Sequence, residues 1–81
     1  MAQATKLKPR YGDAYNNLAS SYMQLGQIQE AMETYQMALV LNPNLVDAHS
    51  NLGNLYKTKG DLEGAKRCYL EAIRWEIFVI L

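Results

Sequence analysis

Two asparagines, Asn17 and Asn51, recur 34 residues apart, and each follows an aspartate by one helical turn, Asp13 and Asp47. Around the first pair a polar stripe at helical spacing reads Asp13, Asn16, Asn17, Ser20, Met23 and Gln24; around the second it reads Asp47, Ser50, Asn51, Asn54, Lys57 and Thr58. A face made only for solvent favours Lys, Glu and Arg, because Asn competes for nearby backbone groups and disfavours helix by a few tenths of a kcal/mol. That cost calls for a use. A carboxamide both donates and accepts, so one Asn can pair with the N–H and the C=O of an extended peptide. Stacked units would repeat it about every 10 Å, roughly three residues of extended chain. The expected chemistry is recognition of peptide backbone, with little regard to sequence, in a concave groove lined by these helices. Asn17 and Asn51 are its centre. Asn16, Asn54, Ser20 and Lys57 flank them out of register. Asp13 and Asp47 also stand where helix N-caps are expected, a role compatible with binding.

Other chemistry is poorly provided for. His49 has no second His, Cys or carboxylate at metal-ligand spacing and reads as a packed or half-exposed residue. The single Cys68 excludes an internal disulfide and reads as a small packed residue in a reducing interior. No nucleophile–base set, phosphate-binding glycine loop or paired zinc ligands can be assembled. No cofactor or metal is implied, and the chain is not expected to be an enzyme. With 8 basic and 8 acidic residues mixed along 81, no basic stripe points to nucleic acid. The start of the chain lacks the apolar run of a signal peptide, and Ile77 to Leu81 is too short to span a bilayer. The expected partners are proteins or extended peptides, in an intracellular, cytoplasmic or nuclear setting.

The elements that must position these residues repeat with the same period. Beside the Asp and Asn columns, Ala14/Ala48, Leu18/Leu52, Tyr22/Tyr56, Gly26/Gly60, Ala31/Ala65, Tyr35/Tyr69 and Ala38/Ala72 recur. A period near 34 is the length of a helix–turn–helix unit that buries its apolar face by stacking on its neighbours. Apolar spacing predicts helices from about Asp13 to Leu25, Ile28 to Leu41, Val46 to Lys59, and Asp61 onward. Gly26 and Gly60 supply the left-handed residues that end the first and third, Asn42-Pro43 stops the second, and Asp61 caps the fourth. Ala19/Gly53 and Ala31/Ala65 let antiparallel helices approach closely. The tyrosines fill the space between helices and between units. Gly64, inside the fourth helix, suggests close contact with a neighbour.

These columns identify the chain as resembling tetratricopeptide repeats, an all-α array of antiparallel helix–turn–helix units. Repeat one runs from Tyr15 through Leu18, Ala19, Tyr22, Ala31, Tyr35 and Ala38 to Pro43; repeat two runs through Leu52, Gly53, Tyr56, Ala65, Tyr69 and Ala72. The expected organisation is a remnant of a preceding helix at 1–9, carrying Ala4 and Pro9, repeats at 10–43 and 44–76, and an apolar tail at 77–81. Two departures are His49, where the family prefers a large aromatic or aliphatic residue, and Ile77, where it closes with proline. The strings Asp13-Ala14-Tyr15-Asn16-Asn17-Leu18-Ala19 and Asp47-Ala48-His49-Ser50-Asn51-Leu52-Gly53-Asn54-Leu55, with Cys68-Tyr69-Leu70-Glu71-Ala72-Ile73, are similar to the repeats of the protein O-linked N-acetylglucosamine transferase family. That resemblance implies an asparagine ladder that holds protein substrates, matched by Asn17 and Asn51, and an aspartate ladder that influences their choice, matched by Asp13 and Asp47. It does not extend to the UDP-N-acetylglucosamine-dependent catalytic domain.

Two other functions remain open at this level. One is an adaptor or co-chaperone module clamping acidic C-terminal peptides, for which only Lys57 supplies a cation on the stripe. The other is a self-associating fragment that contacts neighbouring repeats or further copies through open ends. The tail Ile77, Phe78, Val79, Ile80 and Leu81 prolongs the fourth helix where repeat one has Pro43, and reads either as foreign to the repeat or as a hydrophobic docking element.

Overall fold

The computed structural model describes residues 8–80, with side chains placed for residues 11–78. The expectations for Ala4 and for the side chains of Val79, Ile80 and Leu81 lie outside these. Four helices follow one another: α1 (Lys8–Gln24), α2 (Ile28–Leu41), α3 (Val46–Thr58) and α4 (Leu62–Ile80). There is no strand among the described residues. α1 packs along α2, α3 along α4, and α2 meets α3 at the joint between the two hairpins. The result is the expected all-α array of helix–turn–helix units, a slab of 41 × 35 × 15 Å.

Each hairpin turns by the same device. Gly26 and Gly60 hold φ of 79° and 86°, a region that costs residues with a Cβ about 1–2 kcal/mol. After α1, Gln27 N–H donates to Tyr22 C=O at 2.9 Å and Gly26 N–H to Met23 C=O at 3.0 Å. After α3, Asp61 N–H donates to Tyr56 C=O at 2.8 Å and Gly60 N–H to Lys57 C=O at 2.9 Å. Both are Schellman closures, which satisfy carbonyls that a helix end leaves open. Asp61 then caps α4, its Oδ1 accepting from Gly64 N–H at 2.9 Å.

The inter-repeat turn at Asn42-Pro43 is held differently. His49, 9% exposed, donates from Nε2 to the Pro43 carbonyl at 2.8 Å. A histidine replaces the expected large apolar residue because its ring both packs and ties down the turn. The core that follows is made of Ala19, Ala31, Met32, Tyr35, Ala48, Leu52 and Leu55, with Tyr22, Met23, Leu39, Tyr56 and Cys68 packed against it. Gly64 gives up its side chain to proximity: a Cβ there would lie 3.0 Å from Tyr56 Cγ and 2.9 Å from Asp61 Oδ2.

Two expectations are corrected. α1 begins at Lys8, well before Asp13, because Pro9 is compatible with a first helical turn; Lys8 and Pro9 therefore belong to α1 and not to a preceding helix. Asp13 and Asp47 are not N-caps. Asp13 lies inside α1, and α3 is preceded by Leu45 with no side-chain cap, leaving Asp47 in the first turn, where its charge complements the helix dipole. Apolar residues at helical spacing are not all covered: Ala14 is exposed, and Leu18, Leu25, Leu62 and Ile73 are 44%, 71%, 68% and 51% exposed.

Candidate peptide-binding face

The residues of the polar stripe divide into two groups when their partners are examined. Ser20 and Asn54 occupy equivalent columns, and each turns toward the second helix of its own hairpin. Ser20 Oγ lies 2.9 Å from the Tyr35 hydroxyl, and Asn54 Oδ1 accepts from the Tyr69 hydroxyl. These are one interaction written twice. A fully buried tyrosine such as Tyr35, 0% exposed, must place its O–H on a partner, and the column 15 residues earlier supplies it in both repeats. Sequence reasoning assigned both side chains to a ligand and missed this pairing. The signal was present, since a polar column and a tyrosine column recur together.

Asn17 and Asn51 differ. Asn17 is exposed and Asn51 half-buried. Among the described residues neither carboxamide has a hydrogen-bond partner; only the Asn17 main-chain carbonyl is engaged, accepting from Ser21 Oγ at 3.3 Å. Asp13, Asp47 and Lys57 are exposed and unpaired within the same residues. Asn16 is half-buried, and its Oδ1 is buried without a partner. All eight candidates lie on α1 or α3, the first helix of each hairpin. Several hollows are lined by other residues. A groove of about 270 Å³ between α2, α3 and α4 has His49, Tyr56, Arg67, Cys68 and Glu71 in its wall. Apolar hollows of about 290 and 330 Å³ lie at Tyr11, Tyr15 and Met37 and at Trp75 and Phe78.

The electrostatics of the chain are quiet. Burial pushes the Cys68 thiol above its ordinary value, with Arg67 opposing and Asp61 and Glu71 adding to the rise. A half-buried thiol held protonated is a poor nucleophile. The one ion pair among the described residues is Arg74 with Glu71 at 3.2 Å, on the surface of α4. No group of three or more His, Cys, Asp or Glu able to hold a metal occurs among the described residues, and no helix of the described residues is long and apolar enough to cross a membrane.

Comparison with known proteins places this geometry in a family. A model described as TPR repeat matches residues 19–60, and one described as tetratricopeptide repeat matches residues 46–76. Curated proteins give no match. Among solved structures, the crystal structure of MamA is similar with a TM-score of 0.85 and 26% identity over 98% of this chain. The chain spans 45% of that MamA chain, so the likeness concerns part of that protein. With paired helices, glycine-closed turns and two family models matching in overlap, this chain belongs to the tetratricopeptide repeat family.

Proposed function

We propose that this chain is a protein–protein interaction module that holds an extended peptide along the exposed face of α1 and α3, with Asn17 and Asn51 as the pairing groups. The observation that carries this reading is the split within the stripe. Where the same helices need a polar partner for structure, Ser20 and Asn54 provide it; Asn17 and Asn51 have no such employment among the described residues and still recur in register. Asp13 and Asp47 stand one turn before them and bias the face against acidic segments. Among the side chains described, Lys57 is the single cation on the stripe, too little for a clamp on acidic C-termini. The further resemblance of the Asp13 and Asp47 strings to the protein O-linked N-acetylglucosamine transferases supports a finer proposal: these repeats belong to a substrate-selecting array of that kind.

The test is fluorescence anisotropy with labelled extended peptides of unrelated sequence. Asn17→Ala with Asn51→Ala is expected to weaken binding about thirtyfold, from about 1 kcal/mol per lost amide contact, with weak dependence on salt. Binding that tightens for acidic peptides and collapses with salt would instead favour the clamp. The finer proposal has its own test. Repeats 10–76 grafted into a transferase array should sustain glycosylation of protein substrates, and the paired asparagine substitutions in the graft should lower it. A graft indifferent to those substitutions would count against the transferase assignment. The isolated chain should transfer no sugar from UDP-N-acetylglucosamine.

A further inference from the structure

We infer that copies of this chain stack head to tail, α1 of one copy packing on α4 of the next as α3 packs on α2 within the chain. The 34-residue period makes the chain its own template for this interface. At the internal joint Tyr35 is buried to 0% and Leu52 to 4%, with Leu39 and Tyr56 packed on the same core. Moved one period back, the α3 side of that joint becomes Leu18 and Tyr22 on α1; moved one period forward, the α2 side becomes Tyr69 and Ile73 on α4. Of those outer positions, Leu18 and Ile73 are exposed, and Tyr22 and Tyr69 are half-buried. Leu18 is 44% exposed where Leu52 is 4%, and Ile73 is 51% exposed where Leu39 is half-buried. The two faces are the opposite halves of one interface that the molecule already makes, so a second copy supplies for each face the complement it has inside the chain.

Two details extend the match. The internal joint is crossed by a hydrogen bond from Gln36 Nε2 to the Tyr56 hydroxyl at 3.1 Å. In the equivalent columns of the stack stand Leu70, 55% exposed, and Tyr22, so an aliphatic side chain would lie on the ring where an amide now reaches the hydroxyl. The helix ends also fit. Within the chain, α2 stops at Leu41 and turns at Asn42-Pro43, whereas α4 continues to Ile80 and α1 already begins at Lys8. In the stack these prolonged ends run antiparallel beside each other. Ile77 and Phe78, 51% and 69% exposed, then face the segment carrying Tyr11, 42% exposed. The contact is heterologous and does not close, so it generates open arrays rather than a two-fold dimer.

Sedimentation velocity of the full chain over a range of concentrations tests this, with Leu18→Arg blocking the α1 face and Ile73→Arg blocking the α4 face. The unaltered chain should exceed about twice its monomer mass as concentration rises, as an open heterologous contact requires. Each variant alone should sediment as monomer. An equimolar mixture of the two should form a dimer and nothing larger, because one free α1 face meets one free α4 face. Where arginine lowers helicity by circular dichroism, the Leu18→Ser and Ile73→Ser pair is read in the same way. A chain monomeric at every concentration, a variant that associates like the unaltered chain, or folded variants that stay monomeric when mixed would each overturn the proposal. Association that survives Leu18→Arg and is lost with Phe78→Ser would likewise overturn it, in favour of tail-to-tail pairing.

Discussion

At the scale of single residues, the polar stripe contains two occupations that look alike in sequence. Ser20 and Asn54 hold tyrosine hydroxyls, while the carboxamides of Asn17 and Asn51 hold nothing among the described residues. Stability measurements should separate them. Ser20→Ala strands the buried Tyr35 hydroxyl and is expected to destabilise by about 1–2 kcal/mol in urea denaturation. The same change made together with Tyr35→Phe should recover part of that loss, since no orphan remains. Asn17→Ala should leave the midpoint unchanged or raise it by up to about 0.5 kcal/mol of helix propensity, while peptide binding falls. Cys68 offers a pH test. Burial raises its thiol value in the folded state above the ordinary 9.0, so the unfolded chain loses its proton first as pH increases. The associated stability is present below the unfolded value and is lost as pH rises through the folded value. Denaturation midpoints should therefore fall above about pH 9 more steeply for the unaltered chain than for Cys68→Ala.

At the scale of elements, helix ends decide where the repeats turn. Gly60 has φ of 86° and open space where a Cβ would stand, so Gly60→Ala reports conformation alone. It should cost about 1 kcal/mol, measured by urea titration, since an L-residue pays the left-handed penalty without any clash. Asp61→Ala removes the acceptor for Gly64 N–H and should cost a similar amount, about 1 kcal/mol. The positions of these stops were legible in the sequence because Gly, Pro and Asp act locally. The start of α3 was not, because no side-chain cap sets it. α1 is already helical at Lys8, and that moves Asp13 from a cap to the helix interior, where it is exposed.

At the scale of the whole molecule, equivalent residues have different fates according to what stacks on them. Leu18 and Leu52 share a column, yet one is 44% exposed and the other 4%. Leu52→Ala should cost about 3 kcal/mol as a buried truncation across the joint, and Leu18→Ala less than about 1 kcal/mol, as for an open surface, both read from urea midpoints. If head-to-tail stacking occurs, the Leu18→Ala effect should grow with protein concentration, because association stabilises by mass action. Tyr35 and Tyr69 show the same asymmetry at the other end, fully buried in the first repeat and half-buried in the second.

The sequence by itself determined the family, the helix–turn–helix period, the glycine and proline stops and the set of polar columns, because these depend on local propensity and on spacing within one unit. Only the tertiary structure decided which members of a column are buried, that Ser20 and Asn54 belong to tyrosines, that His49 fastens the Pro43 turn, and that the Asn17 and Asn51 carboxamides have no partner among the described residues. Hydrogen bonds across 15 residues and burial across a joint arise when helices pack, and a periodic sequence writes the same letters on a covered face and on an open one.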